Sequence, residues 1–103
     1  MADAHDELLR ALSARIGTEL PLEICTARSE AWASATFSGS RHSFVLALSG
    51  PGAAASTARL AARLEVIEFD LSGHLVADIA MIQRIDEPDR STFSIEALTV
   101  EDC

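Results

Sequence analysis

The chain has 103 residues, 49% of them hydrophobic and 23% charged, with five glycines and three prolines. That is the make-up of one folded domain and excludes a disordered tail or a low-complexity linker. Eight arginines stand against sixteen acids for a net charge of −8. There is no lysine, tyrosine or asparagine, so Schiff-base chemistry, a P-loop lysine, a phenolic acid or base and an N-glycosylation sequon are all excluded.

The charge argues against nucleic acid and anionic membrane as partners, since both are bound through clustered basic residues. Residues 1–52 carry 4 Arg and 6 acids, residues 53–103 carry 4 Arg and 10 acids, so the acidity belongs to the C-terminal half. The chain opens on acidic residues rather than a basic and apolar leader, and no apolar run approaches the roughly 20 residues that span a bilayer. A cytoplasmic location is expected. Cys25 and Cys103 form neither a CxxC pair nor a metal spacing, so no disulfide framework, metal or cofactor is expected.

The first element is a helix. Asp3 is placed to cap it, Asp6 and Glu7 sit where the helix dipole favours anions, and Gly17 suits the left-handed position after its end. Leu8, Leu12 and Ile16 form its apolar stripe. After Pro21 the period changes to two, predicting a short strand over 22–27, a turn at Arg28-Ser29-Glu30 and a hairpin of 31–38 with 43–49 around Gly39-Ser40-Arg41-His42. That hairpin pairs Phe37 with Phe44, Ala35 with Leu46 and Ala33 with Leu48. Ser49-Gly50-Pro51-Gly52 leads into a second helix with Thr57, Leu60, Ala61 and Leu64 as its stripe. Three further strands are expected at 65–71, 75–84 and 92–100, the last two separated by Asp86–Arg90.

The predicted fold is α+β: a single domain over 1–103, two helices on one face of a mostly antiparallel sheet of about six strands, in the order αβββαβββ. Aligning the halves at an offset of 48–49 matches Leu12 with Leu60, Arg15 with Arg63 and Phe44 with Phe93, suggesting pseudo-repeats 3–50 and 51–101.

No GxGxxG, GxSxG, HExxH or EF-hand pattern is present. His42 and His74 read as solvated turn residues, and Cys25 as a small apolar residue on a half-buried strand. One constellation follows from strand register. A Ser72-Gly73-His74 turn pairs Phe69 with Ala77 and Ile67 with Ile79, and the next hairpin pairs Met81 with Phe93, Ile79 with Ile95 and Ala77 with Ala97. Asp78 then lies between Glu68 and Glu96, a like-charge triplet that costs stability unless something offsets it, with Arg84 or Arg90 as the available counter-charges.

The same face is expected to carry Trp32, Val45, Val76, Ile82 and Leu98, an apolar set too large to be left to water. The expected function is a non-catalytic self-association or protein-binding module working through this second sheet face, as a homo-oligomer or with a protein partner. The alternative is a small-molecule or acid–base site built on Glu68, Asp78 and Glu96 in a sheet-lined pocket.

Overall fold

The structure, a computed structural model, describes residues 3–101. Helix α1 spans Ala4–Ile16, strand β1 Leu22–Ala33, strand β2 Ser38–Ser49, helix α2 Ala53–Arg63, strand β3 His74–Glu87 and strand β4 Arg90–Glu101. A 3-10 turn, Leu64–Val66, prolongs α2. The four strands form one antiparallel sheet in the order β1-β2-β4-β3. Each αββ half therefore gives one central and one edge strand.

The carboxylate of Asp3 accepts the Asp6 amide at 2.9 Å to cap α1, and Gly17, at φ +93°, closes the helix by donating its N–H to the Ser13 carbonyl. Leu8 and Leu12 of α1, with Leu60 of α2 and Leu64, meet the inner face of the two central strands, which presents Phe44, Leu46, Leu48, Phe93, Ile95 and Ala97. Each fully buried Leu or Phe contributes about 1.5–3 kcal/mol of transfer free energy, so this layer is the chief source of stability. The edge strands share little of it: in β1 only Leu22 and Trp32 are even half-buried.

The expected count of six strands is corrected to four, in the order αββαββ. Residues 22–27 and 31–38 are not two strands around a turn. Arg28, Ser29 and Glu30 continue β1, and the polar residues carry no penalty because an edge strand lying beyond the helices meets water on both faces. The turn falls at Ser34–Phe37 instead, where Ser34 Oγ accepts the amides of Thr36 and Phe37 and the Ser34 N–H donates to the Phe37 carbonyl. Phe37 sits in that turn, 58% exposed, and the partners of Phe44, Leu46 and Leu48 are Ala27, Ile24 and Leu22.

Gly39 is not a turn residue either. It lies inside β2 against β4, and a Cβ there would collide with the backbone carbonyl of Thr99. Here glycine serves close backbone approach.

The segment 65–71 forms no strand. Ile67 and Phe69 pack half-buried on the core and Leu71 is buried, but only Leu71 makes a bridge, to His74. Its apolar alternation reflects a covering segment rather than a ladder. The β3–β4 hairpin is longer than expected, turning in the two residues Pro88-Asp89. Its register differs as well: Met81 pairs with Ile95, Ile79 with Ala97 and Arg84 with Phe93. Irregularities between Val76 and Asp78 and between Met81 and Gln83 each insert an extra residue, and each shifts all later side chains by one position.

Candidate functional site

Both helices pack on the inner face, and the outer face of the sheet is covered by no element of the described residues. Strand parity decides what it displays. On β4 the inner residues Ser91, Phe93, Ile95, Ala97 and Thr99 are buried, so Thr92, Ser94, Glu96, Leu98 and Val100 point outward. Register then places Ser43 and Arg28 in line with Glu96, and Arg41, Glu30 and Asp78 in line with Leu98. The next row holds Trp32, Gly39, Val100 and Leu75.

Around the first two rows the twisted sheet forms a hollow of about 760 Å³, lined by Arg28, Glu30, Arg41, Ser43, Asp78, Glu96 and Leu98, with Ser29, His42 and Ala97 at its margins. Its charges alternate across the sheet. Among the described residues the ion pairs are Arg84–Asp86 at 2.7 Å and Arg90–Glu23 at 3.1 Å, so none of the five charged groups of the hollow is neutralised by a neighbour at ion-pair distance. Arg84 and Arg90, expected from sequence as counter-charges for the acidic residues, are engaged elsewhere. The Asp86 carboxyl is held below its usual range by hydrogen bonds from Arg84 and from the buried Ser91 hydroxyl.

Asp78 and Glu96 do share one surface, Asp78 opposite Leu98 and Glu96 opposite Ala80. Glu68 does not join them. It lies in the segment outside the sheet, where its carbonyl accepts a 3.5 Å hydrogen bond from the Arg15 guanidinium of α1. Of the expected apolar contacts, Trp32, Val45 and Leu98 are on the outer face and half-buried. Val76 is turned to the helix side and packs against the core, because the bulge at Ala77 separates its parity from that of Asp78. Ile82 sits in the second bulge, 55% exposed, lining a smaller hollow with Ala61 and Leu64 at the β3 edge.

Sequence reasoning missed Arg28, Glu30, Arg41 and Ser43 because it placed the first three in turns. For Arg41 and Ser43 the alternation with His42, Phe44 and Leu46 was the available signal; for Arg28 and Glu30, on an edge strand exposed on both faces, there was none. Cys25 is exposed rather than half-buried and is a free thiol in the β1 irregularity. Cys103 lies outside the described residues.

A second cluster is buried. His42 is only 2% exposed, not a solvated turn residue, and stacks with His5 and Phe44 beneath α1. Its Nε2 lies 2.9 Å from Thr99 Oγ1 and its Nδ1 3.0 Å from His5 Nδ1. Burial pushes the His42 pKa down to about 4, and the nearby His5 adds to the effect. His74 is half-buried, with its Nδ1 3.1 Å from the Ser72 carbonyl across the tight turn. Among the described residues no group of three or more His, Cys, Asp or Glu is arranged to hold a metal ion, and no helix is long and apolar enough to cross a membrane.

Compared with protein-family models, with curated proteins and with solved structures, the chain gives no match.

Proposed function

We propose that this chain is a non-catalytic binding module that docks a polypeptide partner on the outer face of its sheet. The observation that supports this most is the hollow that gathers Arg28, Glu30, Arg41, Asp78 and Glu96 without an ion pair among them. Charges left unpaired on a sheet keep their hydration until a partner supplies counter-charges, and alternating signs fix its register more than its affinity. The adjoining Trp32, Val45 and Leu98 add half-buried apolar area, with a Trp of the kind that anchors interfaces. Three carboxylates against two guanidinium groups favour a segment with a modest excess of basic residues, while nucleic acid is disfavoured by the carboxylates.

The second reading is a small-molecule or acid–base site. What favours it is the volume of about 760 Å³, within the range of ligand pockets, together with Asp78 and Glu96 on one wall. It has lost Glu68 as a third carboxylate.

Photo-crosslinking in cells separates the readings. A photoreactive residue replacing Ser43 on the outer face is expected to give a discrete adduct with a second polypeptide, and one replacing Ser56 on α2 is not. Arg41→Glu is expected to reduce the adduct strongly. Equal labelling from both positions, or an adduct indifferent to Arg41→Glu, would contradict docking on this face.

A further inference from the structure

The sheet has two edges, β1 and β3, and they are not alike. Strand β3 is interrupted by bulges at Ala77 and Ile82, the device that commonly keeps an edge from pairing. Strand β1 has its only irregularity at Cys25, and from Thr26 to Ala33 its ladder with β2 is unbroken. On its other side that stretch presents regular, unpaired backbone groups, with no proline and no lysine, and every residue but Trp32 is exposed. Its inner face carries only Ala27, Ser29, Ala31 and Ala33, small enough for another strand to approach.

We infer that the β1 edge pairs antiparallel with the β1 edge of a second copy of this chain, about a twofold axis at Ser29, making one continuous eight-stranded sheet. A twofold axis perpendicular to the sheet must set one residue opposite itself, which leaves few registers to compare. Centring on Arg28 or on Glu30 sets like charges opposite each other. Centring on Ala27 leaves Arg28 opposite Thr26 and Glu30 opposite Ile24. Centring on Ser29 sets Arg28 of each copy opposite Glu30 of the other on the outer face, Ala27 opposite Ala31 on the inner face, and Thr26 opposite Trp32. Directly opposed side chains in an antiparallel pair lie about 5 Å apart, within reach of an Arg–Glu ion pair. Among the described residues neither Arg28 nor Glu30 has an ion-pair partner. Pairing also joins the two outer hollows, each of which Arg28 and Glu30 help to line, into one trough across the axis.

The inference does not depend on the proposed partner. Seven paired residues from each copy, Thr26 to Trp32, are a small interface, below the roughly 1,200 Å² of a standard one, so the dimer is reversible. A net charge of −8 on each copy opposes it at low salt.

Sedimentation velocity on the full chain at physiological ionic strength, from about 5 µM to about 1 mM, tests it. The wild type is expected to pass from monomer to dimer across that range. Arg28→Glu alone and Glu30→Arg alone are each expected to weaken dimerisation tenfold or more, by setting like charges across the axis. The double exchange, Arg28→Glu with Glu30→Arg, is expected to restore it. Circular dichroism on the same samples confirms that each variant is folded. A wild type that stays monomeric throughout, or a double exchange no better than the singles, overturns the inference. Dimerisation would satisfy Arg28 and Glu30 and leave Arg41, Asp78 and Glu96, which lie off the axis, as the charges available to the docked partner, so either outcome leaves docking at Arg41 to its own test.

Discussion

The Nδ1 atom of His5 lies 3.0 Å from the Nδ1 atom of His42, and the hydrogen-bond chain beyond them sets which ring donates. The Thr99 hydroxyl reaches the Ser40 carbonyl, which can only accept, so Thr99 Oγ1 is the acceptor for His42 Nε2–H. The remaining His42 nitrogen, Nδ1, must then accept from His5 Nδ1–H. A helix residue, two residues of β2 and one of β4 are joined in one directed relay, with Phe44 stacked against both rings. A proton added to His42 would go to Nδ1, where it meets the His5 N–H and has lost its water.

Stability should therefore fall with acid in a window set by His42. Its pKa is about 4 in the folded protein and about 6.5 when unfolded. Between those values the unfolded chain binds the extra proton, so stability is complete above about pH 6.5 and is lost progressively down to about pH 4. The full loss is up to about 3 kcal/mol at 1.36 kcal/mol per pH unit. His5 and His74 oppose the added charge and Asp3 favours it. Urea midpoints at pH 7.5 and 4.5 should differ more for the wild type than for His42→Phe, and equal differences would sink the assignment.

Phe44→Ala should be the costlier kind of change. Phe44 is fully buried, packed within the core and stacked on His5, so truncation leaves a cavity and costs about 3–5 kcal/mol. A chemical-denaturation midpoint little changed from wild type would mean that α1 does not dock as described.

Gly39→Ala is expected to destabilise by about 1–3 kcal/mol despite adding only a methyl group, because that methyl meets the Thr99 backbone, which cannot swing aside as a side chain would. Gly17→Ala meets no neighbour and is penalised only through its positive φ. Thermal unfolding of both variants separates steric from conformational cost.

Glu23→Gln removes the partner of Arg90 in an ion pair open to solvent. The expected loss is small and fades with added salt. A loss of several kcal/mol would show that the pair supports more than the surface of β1.

The helices were legible in the sequence because an Asp cap and a Leu stripe declare α1, and the Gly50-Pro51-Gly52 break with the stripe of Thr57, Leu60 and Leu64 declares α2, while the α+β class followed from the change of period at Pro21. What escaped has particular causes. Arg28-Ser29-Glu30 looked like a turn because it lacks an apolar alternate, yet an edge strand beyond the helices needs none. Ile67, Phe69 and Leu71 alternate like a strand because they cover the core at every second residue without a ladder partner. The bulges at Ala77 and Ile82 have no composition signature, and they moved Val76 to the helix side and Ile82 to the β3 edge. Asp78 and Glu96 were placed on one surface by a register that was itself displaced. His42 was hidden because its alternation with Phe44, Leu46 and Leu48 was cut by reading Gly39 as a turn.

The docking face is tested most directly by the affinity of the polypeptide crosslinked at Ser43 for two charge reversals, Arg41→Glu in the hollow and Arg59→Glu on α2. Measured by titration calorimetry, Arg41→Glu should weaken binding by about tenfold or more, equivalent to about 1.4 kcal/mol, while Arg59→Glu stays within about twofold of wild type. Equal affinities for the two variants would contradict the account.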